Sequence, residues 1–265
     1  MTSAWIDGRP APADALRALA LANYGHFSTM QVRGGAVQGF DLHLRRLRDA
    51  TRELFGCDLD PERTRGELRR ALSAAPATDC TLRATVFAPG LDPLRGGPAG
   101  TPRILVTLSP PLAPGGGGLR VRSYGYRREL PNVKHVGTFA LLHYRRRAVL
   151  DGYDDALFVD AQERVLEGSV WNVGFVMADG VVWPEGPALR GVTERLLQAG
   201  LSDAGIAQTT RPVSLDELAG FRGAFACNSR GVRIIDGIDA VEYAPDTGFA
   251  RLLAEALAAR PWQRI

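Results

Sequence analysis

Residues 130–172 read LPNVKHVGTFALLHYRRRAVLDGYDDALFVDAQERVLEGSVWN, and Lys134, near the start of this stretch, is the only lysine in the 265-residue chain. The rest of the 32 Lys+Arg residues are arginine, as a GC-rich coding bias would produce, so the exception asks for a chemical reason. A guanidinium stays protonated at any relevant pH and is a poor nucleophile. A desolvated lysine amine, by contrast, can lose its proton and form a Schiff base. Around it, Asn132-Val133-Lys134-His135-Val136, bounded by Pro131 and Gly137, reads as a brief strand entering a turn. A helix is expected from 138 to about 150, with Phe139, Leu142, Ala148 and Val149 as its apolar face and Gly152 as its stop. Beyond it, 156–159 and 164–166 read as a hairpin that delivers Glu167 into Gly168-Ser169, and 173–177 returns as a third strand.

The order and spacing of these pieces carry a resemblance. A lysine ends a strand, a helix leads to Gly152-Tyr153-Asp154-Asp155-Ala156-Leu157, and Glu167-Gly168-Ser169-Val170-Trp171-Asn172 precedes a hydrophobic strand. Leu189-Arg190-Gly191-Val192-Thr193 follows. The series resembles the fold-type IV pyridoxal-phosphate enzymes, which include branched-chain and D-amino-acid aminotransferases and 4-amino-4-deoxychorismate lyase. The resemblance implies an α/β (α+β) fold of two domains, a smaller N-terminal α/β domain and a larger C-terminal barrel-like α/β domain. It also implies that Lys134 carries pyridoxal 5′-phosphate as a Schiff base and that Glu167 pairs with the pyridine nitrogen. Physically, a carboxylate beside that nitrogen favours its protonated form, which keeps the ring an electron sink.

Other cofactor contacts follow from the same likeness. His43-Leu44-Arg45-Arg46-Leu47 resembles a His-x-x-Arg-Leu element whose arginine meets the cofactor phosphate, and the spacing selects Arg46. A guanidinium fork suits phosphate, although a helix also bearing Arg45 and Arg48 could equally present a solvated face. Val192 and Thr193 open an expected helix, whose first N–H groups and dipole attract phosphate. The turn Asn228-Ser229-Arg230-Gly231 matches one used for phosphate and substrate carboxylate, with either Asn228 or Ser229 as donor. Ser28 stands where many aminotransferases of this family have Glu.

Composition narrows the alternatives. With 32 basic against 29 acidic residues the net charge is +3, a mixed surface without a nucleic-acid-binding motif. Cys57, Cys80 and Cys227 are an odd count at wide spacings, which points to neither a disulfide framework nor a metal site. No leader or membrane-spanning run is read, so a cytoplasmic protein is expected.

Along the chain, 4–6 reads as a strand, 10–21 as partly helical and 25–32 as a strand turned by Arg33-Gly34-Gly35. Asp41 is a candidate N-cap for a helix through Phe55, and Pro61 begins a second helix ending near Ala74. Strands 81–87 and 103–108 flank a Gly/Pro-rich loop. The expected division is an N-terminal domain at 1–109, a Pro/Gly-rich linker at 110–118 and a cofactor-binding domain at 119–265. The leading function is an aminotransferase acting on a small amino acid or amine and a 2-keto acid, as a homodimer. Alternatives are an aminodeoxychorismate-type lyase releasing pyruvate, and a non-catalytic protein that keeps the fold.

Overall fold

The apolar run Cys80–Phe87 is paired along its whole length, with Gly25–Val32 on one side and Arg103–Ser109 on the other, both antiparallel. A strand hydrogen-bonded on both edges and buried on both faces must be apolar nearly throughout, and only Arg83 in it is less than fully buried. The computed structural model describes residues 3–74, 78–92, 94, 100–113 and 115–265, with Ala18 described by its backbone alone. Pro114 of the expected linker and residues 95–99 of the Gly/Pro-rich loop lie outside the described residues. In chain order the elements are β1 (Ser3–Ile6), β2 (Arg9–Pro10), α1 (Ala13–Ala22), β3 (Gly25–Val32), β4 (Ala36–Gln38), α2 (Phe40–Phe55), α3 (Pro61–Ser73), β5 (Cys80–Phe87) and β6 (Arg103–Ser109). There follow β7 (Leu119–Gly125), α4 (Phe139–Leu150), β8 (Asp155–Val159), β9 (Val165–Gly168), β10 (Asn172–Val176), β11 (Gly180–Pro184), α5 (Val192–Asp203) and β12 (Ala207–Arg211). After a 3-10 helix, Leu215–Gly220, come β13 (Gly223–Asn228), β14 (Gly231–Ile238), β15 (Val241–Glu242), α6 (Thr247–Ala258) and β16 (Trp262–Arg264).

The chain forms two units, Met1–Leu112 with Val133–Gly137 and Pro261–Ile265, and Ala113–Asn132 with Thr138–Arg260. In the first, the sheet runs β2-β1-β6-β5-β3. One core joins Leu82, Ala84, Val86, Val106 and Met30 to Phe40, Leu47 and Leu68 of α2 and α3, and α1 packs elsewhere, with Ile6, Phe87 and Leu105. Asp60 accepts from the Glu62 N–H and Pro61 sits at the first position of α3, as expected. Asp41 does not cap α2. The chain enters that helix through Gly39 in the left-handed region, φ 64°, and the Asp41 N–H donates to Gln263. The turn out of β4 requires that left-handed residue, which moves the cap two positions upstream.

The second unit is one curled sheet, β12-β11-β10-β13-β14-β7-β8-β9, with β15 beside β14. One cluster gathers Val121, Leu157, Trp171, Phe175 and Ile235, and another packs Trp183, Phe225 and Cys227 against Leu197, Leu201 and Leu253 of α5 and α6. Two crossovers matter for the site. β11 pairs in parallel with β12 through α5, and β7 pairs in parallel with β8 through a long connection that carries α4. The expected apolar face of α4 is corrected except at Ala148, which is buried: Phe139, Leu142 and Val149 are 79%, 52% and 54% exposed, and Leu141 joins Ala148 against Phe158 instead. Apolar residues lie all round this helix, so periodicity could not choose its inner side. Among the described residues no helix is long and apolar enough to cross a membrane.

Strand β16 pairs with β4, and the adjoining Ile265 side chain, 7% exposed, enters the core of the first unit. Ile265→Ala is expected to cost about 2–4 kcal/mol of unfolding free energy, measured as a lower urea midpoint.

Candidate active site

Lys134 belongs to the first unit, although it lies beyond residue 112 in the chain. The predicted strand at 132–136 is replaced by an extended segment docked on the free edge of β3. The Phe27 N–H donates to the Lys134 carbonyl at 2.9 Å, the Val136 N–H donates to the Gly25 carbonyl at 2.9 Å, and His26 and His135 form an isolated bridge. The lysine ammonium lies 5.1 Å from the centroid of the Phe27 ring, over which the Arg83 guanidinium also sits at 3.5 Å.

Beneath this edge is a buried polar chain. Arg46 turns inward from α2, and its Nη2 donates to Ser28 Oγ at 2.5 Å and lies 3.3 Å from His43 Nδ1. Ser28 Oγ is 2.6 Å from that same Nδ1. Since the Ser28 oxygen accepts from Arg46, its hydroxyl proton is free to point at Nδ1, and a neutral His43 then carries its own proton on Nε2. Burial, then the charges of Arg46 and Lys134, hold His43 well below the ordinary histidine value. His26 Nε2 lies 2.9 Å from Thr51 Oγ1, and burial followed by Arg46 pushes its pKa down to about 3. Arg45 is exposed and Arg48 pairs with Asp49, so of the three helix arginines it is Arg46 that faces the polar chain.

The second unit holds Glu167, 4% exposed and therefore no solvated hairpin residue. Leu157 pairs with Gly168 and Val159 with Val165, so two residues, Leu166 and Glu167, stand opposite Phe158 in a β-bulge. A bulge re-aims a side chain. Here it accompanies a fork: Arg128 Nε donates to Glu167 Oε1 at 2.8 Å and Nη2 to Oε2 at 3.3 Å. After Glu167 the chain must be glycine, because a Cβ on Gly168 would lie 1.9 Å from the Trp171 indole. Ser169 Oγ donates to the buried Asp155 at 2.5 Å, and Asp155 also pairs with Arg145 at 3.3 Å.

At the start of α5, the N–H groups of its first turn have no acceptor within the helix. Gly191 and Glu194 form the start: the Gly191 N–H donates to Glu194 Oε2 at 3.1 Å, while Arg190 Nη1 donates to Oε1 at 2.9 Å. Glu194 is buried, and that burial raises its pKa against the opposing pull of Arg190. Asn172 Nδ2 donates to the Leu189 carbonyl at 2.6 Å, and a Cβ on Gly191 would come within 2.3 Å of Asn172 Oδ1. The asparagine of the Glu-Gly-Ser-x-x-Asn series thus shapes the loop that launches the helix. Thr193 Oγ1 donates to the Asn228 carbonyl at 2.8 Å, which ties α5 to the β13–β14 turn. The Asn228 side chain is engaged locally, donating to the Val170 carbonyl at 3.4 Å and accepting from the Arg230 N–H at 2.9 Å; Ser229 is half-buried beside it.

The first unit therefore brings Lys134 and Arg46 to one neighbourhood with His43, Ser28 and Phe27, and the second ties Val192 and Thr193 to Asn228 and Ser229. One residue and one contact escaped the sequence. Arg128 stands in Arg127-Arg128-Glu129, whose outer members are exposed, and nothing in a charged tripeptide marks its middle as buried. The Ser28 to His43 contact joins β3 to α2 across 15 positions, and only the likeness at His43-x-x-Arg46 hinted at it. Each unit by itself carries groups whose chemistry suits part of a phosphorylated pyridine aldehyde: the first a primary amine and a guanidinium, the second helix-start N–H groups and a buried carboxylate.

The two low-titrating histidines give the first unit an acid sensitivity. Unfolding lets His26 take up a proton near 6.5 that the fold refuses until about pH 3, so the unfolded state gains as pH falls below 6.5. Stability is expected to decline across that window by about 1.4 kcal/mol per pH unit on account of His26, and His43, also held low, acts in the same direction. Urea unfolding of His26→Gln over the same range should show a shallower decline than the unsubstituted protein.

Comparison with known proteins places this geometry. No curated protein sequence matches. A hypothetical aminotransferase from Mycobacterium tuberculosis, solved in a PLP-bound form, superposes with a TM-score of 0.80 at 22% identity, covering 97% of this chain and 98% of that one. The T.th. branched-chain amino acid aminotransferase with pyridoxamine 5′-phosphate gives 0.83 at 19% identity, covering 97% and 93%. The 4-amino-4-deoxychorismate lyase from Pseudomonas aeruginosa gives 0.79 at 28% identity, covering 94% and 96%. The expected two-unit α/β architecture of the fold-type IV enzymes is thereby borne out, and with it a family whose cofactor is pyridoxal phosphate. The model of the amino-transferase class IV family matches residues 25–238, and the chain belongs to that family.

Proposed function

We propose that this protein is a pyridoxal-phosphate-dependent aminotransferase that moves an amino group between an amino acid or amine and a 2-keto acid. The observation that carries this reading is the chain's one lysine, pinned by its own backbone to the β3 edge with its amine near Phe27 and Arg46 close by. When bound, pyridoxal phosphate supplies an electron-accepting ring that stabilises negative charge at the substrate α-carbon. Lys134 supplies the amine that anchors the cofactor and, once released by substrate, holds and moves a proton at that α-carbon. Arg46, the first-turn N–H groups of α5 at Val192 and Thr193, and the Asn228-Ser229 turn bind the phosphate. Glu167 would pair with the ring nitrogen. The same reading carries a homodimeric, cytoplasmic enzyme, and light scattering of the purified protein checks the assembly.

A second reading, a lyase that releases pyruvate from an aminodeoxychorismate-type substrate, is favoured by one observation: the lyase from Pseudomonas aeruginosa is 28% identical, against 19% for the branched-chain enzyme. Ser28, in place of the Glu common in the resembling aminotransferases, agrees with it, since its hydroxyl is taken up by Arg46 and His43. Parallel assays separate the two. Amine transfer that requires an added keto acid supports the aminotransferase, and pyruvate release without any keto acid overturns it in favour of the lyase.

Lys134→Arg keeps the charge and removes the nucleophile. Its circular dichroism and urea midpoint should match the parent, while turnover falls by roughly a thousandfold or more. Borohydride reduction of the parent with cofactor, followed by peptide mapping, should mark Lys134; an adduct elsewhere, or none, overturns the assignment.

A further inference from the structure

Arg128 and Glu167 make the most deeply buried ion pair among the described residues, with side chains 2% and 5% exposed. The pair lies by Tyr126, whose phenol is held above its ordinary value by burial and feels both charges, and whose ring stands 4.8 Å from that of Phe158. In such surroundings an ion pair contributes little net stability compared with apolar side chains of the same volume, yet losing one member strands the other. The geometry is a fork, one guanidinium nitrogen to each carboxylate oxygen, and it fixes the carboxylate in rotation as well as in place.

We propose that Arg128 is a positioning residue that keeps the Glu167 carboxylate in place and in rotation for the ring nitrogen of the cofactor, a proposal that rests on the role given to Glu167 above. The anchor is Arg128 in the long β7 to β8 crossover, and the bulge in β9 presents Glu167 to it. Without the fork the carboxylate can swing away, and the ring nitrogen exchanges a charge-assisted hydrogen bond for a neutral one. Charge-assisted bonds are about twice as strong as neutral ones, so affinity that depends on the nitrogen should fall roughly tenfold.

The test compares binding of pyridoxal 5′-phosphate with its 1-deaza analogue, in which a C–H replaces the ring nitrogen, to the full chain and to Arg128→Met, Arg128→Lys, Glu167→Gln and the Arg128→Met/Glu167→Gln double variant. The parent should prefer the natural cofactor, Arg128→Met should lose roughly tenfold of that preference with affinity for the analogue unchanged, and Arg128→Lys should recover part of it. The double variant, which strands no charge, should show the same low preference for the natural cofactor as Glu167→Gln, because Arg128 acts on the nitrogen only through that carboxylate; the absolute affinities of the two variants differ, since Glu167→Gln leaves Arg128 buried without its carboxylate. Equal weakening of both ligands in Arg128→Met, or a double variant whose preference differs from that of Glu167→Gln, overturns the proposal; should Arg128→Met fail to fold, the double variant decides alone. A parent that binds both ligands equally instead refutes the role of Glu167 itself.

Discussion

Two backbone hydrogen bonds, from the Phe27 N–H to the Lys134 carbonyl and from the Val136 N–H to the Gly25 carbonyl, hold the one lysine of this protein against the edge of β3. They involve no side chain. Any residue at position 134 could be docked by them, so location comes from the strand edge and chemistry from the single amino-acid choice. Edge strands are a hazard when left open, and here the edge of β3 is covered by the segment that carries the lysine. Amine placement and protection of the sheet are therefore the same contact.

The charged groups of the two units follow different rules. In the first unit, cations gather: Arg83 and Lys134 lie by the Phe27 ring and Arg46 binds Ser28, beside His43, whose pKa is held low by burial and by the charges of Arg46 and Lys134. In the second, opposite charges are matched one to one, Arg128 with Glu167 and Arg190 with Glu194. The first set, with its unmatched cations, suits anions, whereas the matched pairs of the second leave its buried charges neutralised in place.

What could be read from the sequence was what has a local signature. The lone lysine, the Glu-Gly-Ser-x-x-Asn series, Pro61 with its Asp60 cap and the Gly25–Val32 strand all announce themselves within a few residues. What could not be read depends on distant partners. β7 alternates apolar with charged residues and β12 is polar throughout, and each is a strand because neighbours far along the chain hydrogen-bond to it. Asp41 looks like a cap until the turn from β4 supplies Gly39. Arg128 is indistinguishable from its exposed neighbours until the bulge presents Glu167, and the inner face of α4 was set by Phe158 and the tyrosines around it.

The path of the chain between the two units has a consequence for biogenesis. It leaves the first unit after Leu112, returns for Val133–Gly137, departs again, and comes back only for Pro261–Ile265. During vectorial synthesis the five-stranded sheet would emerge early, its β3 edge bare until Val133–Gly137 follow and the Ile265 socket vacant until the second unit has been translated. Completion of the first unit is thus coupled to emergence of the second from the ribosome, and neither can be excised as a continuous segment. Such interleaving favours one cooperative folding event over independent modules, and it makes premature termination yield a product that lacks part of both its core and its cover.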